Sequence, residues 1–189
     1  MALDDEIQTC ILALSGSHEE RQAARDALIA LGPPVVEPLL GVLRNGEKRS
    51  AVGAAEVLGA LADPRAFDAL AATITSPNPL LGGVALKGLL NYRQPDTTPI
   101  LLDALPVAHI IVQQSIILAF QRHPDPRAVE PFLAHLETVD EPTLVCGIIQ
   151  ALGILGDAQA IPAVRARQHD ANQHVRDWAE VALKQLAGE

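Results

Sequence analysis

The sequence predicts an all-α fold, a right-handed α-solenoid (α/α superhelix) of about six helix pairs forming one domain, 1–189. Three observations carry that expectation. An apolar anchor recurs about every 31 residues, at Leu28, Leu58, Leu89, Phe120, Leu152 and Leu183. Its neighbours recur in step: Ala24, Ala54, Ala85, Ile116, Ile148 and Ala179 four residues before, and Ala27, Val57, Gly88, Ala119, Ala151 and Ala182 one before. A period of this length marks stacked supersecondary units, each burying its apolar face on the next. Finally, the chain is 49% hydrophobic but only 3% aromatic. Small aliphatic side chains suit closely packed helices better than a sheet.

The elements follow in order. The first pair is expected at 3–14 and 18–31, with Ser17 capping the second helix and Glu20 as its capping-box partner. The second pair is expected at 34–44 and 47–61. Val35, Leu39, Leu40 and Leu43 share one face, Asn45-Gly46 makes the turn, and Ala51, Ala54, Ala55, Leu58 and Leu61 form the facing stripe. Asp63-Pro64-Arg65-Ala66 then restarts the cycle, and it returns as Asp125-Pro126-Arg127-Ala128 and, more weakly, as Asp157-Ala158-Gln159-Ala160. The Asp can cap the next helix and the Pro suits its first position, where no donor is needed. Pro38, Pro99, Pro131 and Pro162 fall early in first helices and are expected to bend them. The final pair is expected at 158–168 and 172–187. Gly82-Gly83 lies inside a helix, where close packing explains it better than phosphate binding.

Charge and motifs narrow the function. The formal net charge is −9 with no basic run, which argues against nucleic acid and anionic membranes as partners. No long uninterrupted apolar stretch predicts a membrane span, and the acidic start Met1-Ala2-Leu3-Asp4-Asp5-Glu6 does not read as a secretory signal. Cys10 and Cys146 lie repeats apart and read as free thiols, which points to a reducing, cytoplasmic setting. None of the six histidines falls in a zinc spacing, and no nucleophile elbow, P-loop or dinucleotide fingerprint occurs. No catalytic residue, metal or cofactor is therefore expected.

Leu58-Gly59-Ala60-Leu61-Ala62-Asp63-Pro64-Arg65-Ala66, Leu152-Gly153-Ile154-Leu155-Gly156-Asp157, and Asp170 followed by Val175-Arg176 and Ala182-Leu183 resemble HEAT repeats. The resemblance is to the short HEAT-like repeats of the phycobilisome bilin lyase type and covers nearly the whole chain. It implies a protein-binding scaffold or, alternatively, a relative or subunit of a lyase that joins a bilin to a phycobiliprotein. The family's Arg stands at Arg21 and Arg176, but Ala51, Gly82, Gln113 and Val145 replace it in the middle repeats, so no regular Asp–Arg ladder is expected. Two other relatives by fold fit poorly. Deoxyhypusine hydroxylase uses several His-Glu pairs for iron, and only His18-Glu19 matches here. HEAT-like DNA glycosylases need a basic aromatic groove, and Trp178 is the only Trp.

In such solenoids the second helices line the concave face. Opposite their core stripe lie Gln22 and Asp26, Val52 and Glu56, Lys87, Gln114 and Gln121, and Cys146 and Gln150. These residues are the candidate protein-binding groove, acidic near Asp26 and Glu56 and rich in amides towards the C-terminal half. The apolar runs Leu81–Leu86 and His109–Val112 could add exposed contact surface. The expectation is a monomeric interaction module that binds another protein, without chemistry of its own.

Overall fold

The computed structural model describes residues 2–92 and 96–188. These form twelve α-helices and no strand: α1 (Ala2–Ala13), α2 (His18–Leu31), α3 (Val36–Asn45), α4 (Lys48–Leu61), α5 (Phe67–Thr73), α6 (Pro79–Leu89), α7 (Thr98–Ala104), α8 (Ile110–Arg122), α9 (Val129–Thr138), α10 (Pro142–Leu155), α11 (Ile161–Ala166) and α12 (Gln173–Ala187). The protein is an all-α solenoid of helix pairs. The chain comprises two compact units, Met1–Thr97 and Thr98–Glu189.

Each pair begins on local chemistry. Ser17 accepts the Glu20 amide, and Glu20 accepts the Ser17 amide in return, closing the capping box at α2. Four first helices are entered through a single 3₁₀ turn, at Pro33–Val35, Pro64–Ala66, Pro126–Ala128 and Ala158–Ala160. Asp63, Asp125 and Asp157 accept the backbone N–H two residues on, at 3.0, 3.0 and 2.9 Å. Arg65 folds onto Asp63 and also donates to the Pro33 carbonyl at 3.0 Å, tying one restart to the previous one. Arg127 forks onto Asp125 in the same way and holds that carboxyl down at about 2. Pro38, Pro99, Pro131 and Pro162 all sit in the first turn of their α-helices. Backbone donors there have no intrahelical acceptor, so these prolines remove no helical hydrogen bond.

The recurring anchors are the core. Leu28, Leu58, Leu89 and Leu152 are fully buried and Phe120 nearly so, while the last, Leu183, is half-buried. Phe67 meets Tyr92 edge-on in the first unit, and Phe120 meets Phe132 edge-on in the second. Tyr92 donates its hydroxyl to the Asp63 carbonyl at 2.8 Å, and burial pushes its phenol up to about 12. His123, three residues after an anchor, is exposed, whereas Leu31, Leu61, Tyr92, Leu155 and Leu186 at the matching places are half-buried.

Successive second helices approach closely on small residues. A Cβ on Gly59 would stand 2.5 Å from the Gly88 Cα, and one on Gly88 would stand 2.9 Å from the Gly59 Cα. In the second unit, a Cβ on Gly153 would lie 3.0 Å from the Ala182 Cβ. Asn91 seals the first crossing by donating to the Gly59 carbonyl at 3.0 Å. Gly83 is different, because nothing lies within 4 Å of a Cβ there. The close-packing explanation for Gly82-Gly83 therefore fails at Gly83; the close contact in α6 is made by Gly88.

Where the family Arg is replaced, the loop clamp survives once. Arg21 donates to the Gly16 carbonyl and Arg176 to the Asp170 and Ala171 carbonyls. Gln113 reaches the carbonyl five residues back, that of Ala108, at 2.8 Å. Its Oε1 lies 3.1 Å from Nε2 of buried His135 on α9. With Gln113 Nε2 committed to Ala108, His135 Nε2 donates, and buried Nδ1 keeps a lone pair with no partner among the described residues. Burial lowers the His135 pKa from its ordinary value of 6.5.

Two outcomes follow. Gly59→Ala should destabilise the protein by about 1–3 kcal/mol through overpacking. Gly83→Ala should stabilise it by about 0.5–1 kcal/mol through helix propensity. Thermal melts of the two variants must move in opposite directions. For His135 the unfolded chain takes up the proton first as pH falls. Its stability contribution is therefore present above the unfolded value of 6.5 and is lost on acidification below it. Urea midpoints measured between neutral and mildly acidic pH should fall less steeply in His135→Leu than in wild type.

Candidate functional site

The second helices of each unit present a face built by the same local rule. Residues four apart on a helix stand above one another, so the stripe opposite the anchors is continuous. In the second unit α8, α10 and α12 enclose a cleft of about 480 Å³. Its lining includes Gln114, Gln121, Cys146 and Gln150, four of the residues singled out from sequence. Ile117, Leu118, Gly147 and Pro142 supply apolar surface, and Thr143, Asn172 and His174 complete the rim.

The amides in this cleft are partly spoken for. Gln114 Nε2 donates to Thr143 Oγ1 at 2.8 Å, and Thr143 in turn bonds Glu141. Gln121 Nε2 donates to the Gly147 carbonyl at 2.9 Å and to Gln150 Oε1 at 3.2 Å. Gln114 Oε1, Gln121 Oε1 and Gln150 Nε2 remain without partners among the described residues. Two acceptors and a donor therefore face a largely apolar cleft. That combination suits the alternating donors and acceptors of a peptide backbone better than a charged group.

In the first unit α2, α4 and α6 enclose a cleft of about 390 Å³. Gln22, Asp26, Glu56 and Lys87 line it, with Ile29 and Val84 as apolar neighbours. Gln22 donates to Asp26 at 3.1 Å, Arg25 donates to Gln22, and Arg25 pairs with Glu56 across the two repeats. Val52 lies with Glu56 in an adjoining cleft of about 320 Å³. The expected acidic character does not hold there. Arg25 neutralises Glu56, and Arg21, Lys48 and Arg49 line the same cleft.

These basic residues, with Asn172 and His174, lie outside the stripe that the sequence predicts. That stripe stops one turn short of the helix starts. Lys48 stands four residues before Val52 and Pro142 four before Cys146, so the same spacing extended backwards reaches both. Arg25 flanks Gln22 at a spacing of three. Asn172 and His174 belong to a helix start, and no periodic rule on the helix body locates them. Of the apolar runs, Leu86 and Val112 are buried, whereas Ile111 and neighbouring Leu80 are exposed.

Cys10 and Cys146 are both free and half-buried. Burial, together with the charges of Asp170 and Glu141, raises the Cys146 thiol above its ordinary value. A thiol so placed is a poor nucleophile near neutral pH. In a Cys10→Ser background, the pH profile of iodoacetamide alkylation should have its midpoint above the ordinary thiol value of 9.0 and fall towards it in Asp170→Asn. A midpoint at or below that value contradicts the assignment. Among the described residues, no three His, Cys, Asp or Glu side chains converge as a metal site, and no single helix is long and apolar enough to cross a membrane.

Comparison with known proteins bears on the fold. Residues 107–184 match the HEAT repeat family. No curated protein matches the chain in sequence. Among solved structures, a designed armadillo repeat protein in complex with the peptide (KR)4 superposes with a TM-score of 0.54 at 17% identity, over 94% of this chain and 98% of that one. Human deoxyhypusine hydroxylase in complex with glycerol gives a TM-score of 0.43 at 15% identity, over 100% and 98%. The repeat match within the second unit and the armadillo-like architecture support a HEAT-like repeat protein.

Proposed function

We propose that this protein is a non-catalytic interaction module that holds a segment of another protein along the concave face lined by its second helices. In this reading 1–189 is a single HEAT-like repeat domain, and it works as a monomer in the cytoplasm. The observation that carries the reading is the α8–α10–α12 cleft, where Gln114, Gln121 and Gln150 leave unpaired amide groups over an apolar floor. Gln114 is exposed and Gln121 and Gln150 are half-buried, so an extended peptide replaces water on their amide groups while covering exposed Leu118. The designed armadillo protein named above, of the same architecture, is itself in complex with a peptide. Gln22, Asp26, Val52, Glu56 and Lys87 extend the same role to the first unit.

The bilin lyase alternative gains no support of its own. Among the described residues no acid, base and nucleophile converge in the clefts, and burial raises the thiol of Cys146, the groove cysteine, rather than activating it. The test is an affinity pull-down that compares wild type with Gln114→Arg/Gln150→Arg and with Glu130→Arg on α9. A true groove partner should be lost by about tenfold or more in the double variant and kept by the α9 control. Equal retention by all three, with melting curves showing every variant folded, would remove the concave-face assignment. Recovery of a phycobiliprotein as the partner would instead bring the lyase reading forward.

A further inference from the structure

The geometry points to a cationic recognition cleft in the first unit, between the N-terminal halves of α2 and α4, that takes a partner segment pairing an acidic with an apolar side chain. The inference rests on the partner-binding reading above and names the chemistry of what this unit recognises. The cleft of about 320 Å³ gathers Arg21, Arg25, Lys48 and Arg49 against the single carboxylate Glu56, in a chain whose net charge is −9.

Internal pairing does not exhaust this charge. Arg25 is matched by Glu56, and Arg21 donates to the Gly16 carbonyl, which leaves its positive charge in place. Lys48 and Arg49 are exposed and have no hydrogen bond or ion pair among the described residues. Both stand in the first turn of α4, where the unpaired amides and the helix dipole already favour an anion. Glu47, at the cap position, makes no side-chain capping bond. Two cations in that turn oppose the dipole, so the free protein carries a local repulsion that a bound carboxylate would relieve.

The other wall decides the kind of anion. Val52 lines it, and Leu80 at the start of α6 is 63% exposed beside the cations. A free oxyanion would leave Leu80 uncovered. A peptide with neighbouring acidic and apolar residues satisfies both walls, and charge complementarity would speed its encounter.

The probe is a short fluorescein-labelled peptide alternating Glu and Leu, compared by anisotropy with its Gln–Leu analogue. The Glu peptide should bind more tightly. Its advantage should shrink as salt rises from about 0.1 M to about 1 M, which shortens the Debye length from about 10 Å to about 3 Å. Lys48→Glu/Arg49→Glu should weaken binding about tenfold or more. The same variant should melt at or above the wild-type temperature, because acids suit that helix turn. Leu80→Ser should weaken binding as well. Equal binding of the Gln analogue, or unchanged binding by the charge-reversed variant, overturns the inference. So does a site that inorganic phosphate saturates while Leu80→Ser has no effect. If the pull-down partner depends on Gln114 and Gln150 while the peptides do not discriminate, this inference falls and the broader reading stands. The opposite pattern removes the second-unit groove and keeps the cationic cleft.

Discussion

The close approach of neighbouring second helices is the constraint on which the rest of the structure depends. Within the first unit α4 and α6 cross where Gly59 faces Gly88, and within the second α10 and α12 cross where Gly153 faces Ala182. The rule is the same at both crossings: the residue after one anchor meets the residue before the next. With no side chain on one partner, the backbones come near enough for the fully buried anchors Leu58, Leu89 and Leu152 to pack between layers. Bulk at these positions would separate the layers, and every contact along the pair would loosen with them.

The same approach creates the clefts. Helices drawn together on one side leave shallow clefts on the side opposite the anchors, and the stripe residues line them. Polar side chains bridge the other crossings. Gln121 reaches the Gly147 carbonyl and Gln150 from α8 to α10, and Arg25 reaches Glu56 from α2 to α4. These bridges hold the layers and also set the polarity of each cleft, amide-lined in the second unit and cationic at one end in the first.

Helix starts supply register. Asp63, Asp125 and Asp157 each fasten a 3₁₀ turn ahead of a first helix, and Arg65 ties its turn to the Pro33 carbonyl one repeat back. The Arg that defines the repeat elsewhere works locally at Arg21 and Arg176, clamping a loop carbonyl, and Gln113 performs that task in the fourth repeat. Gln113 also faces His135, so a substitution made at a loop clamp places a buried histidine under hydrogen-bond control. At the other three positions Ala51, Gly82 and Val145 are small or apolar and buried within the helix stack.

The 31-residue spacing, the anchors from Leu28 to Leu183 and the Asp-Pro-Arg-Ala restarts were enough by themselves to determine the all-α repeat architecture and the helix order. Each of these is a local or periodic property, set by which residues share a helix face and which backbone donors a neighbouring side chain can reach. Only the tertiary structure decided the character of the clefts. Glu56 reads as an acidic groove residue until Arg25 is seen against it, and Lys48 and Arg49 read as an ordinary helix start until α2 brings Arg21 beside them. Gly83 and Gly88 look alike in a helical run, yet one faces open space and the other a backbone. Charge balance and close approach depend on residues about 31 positions apart meeting in space, and no periodicity along a single helix carries that information.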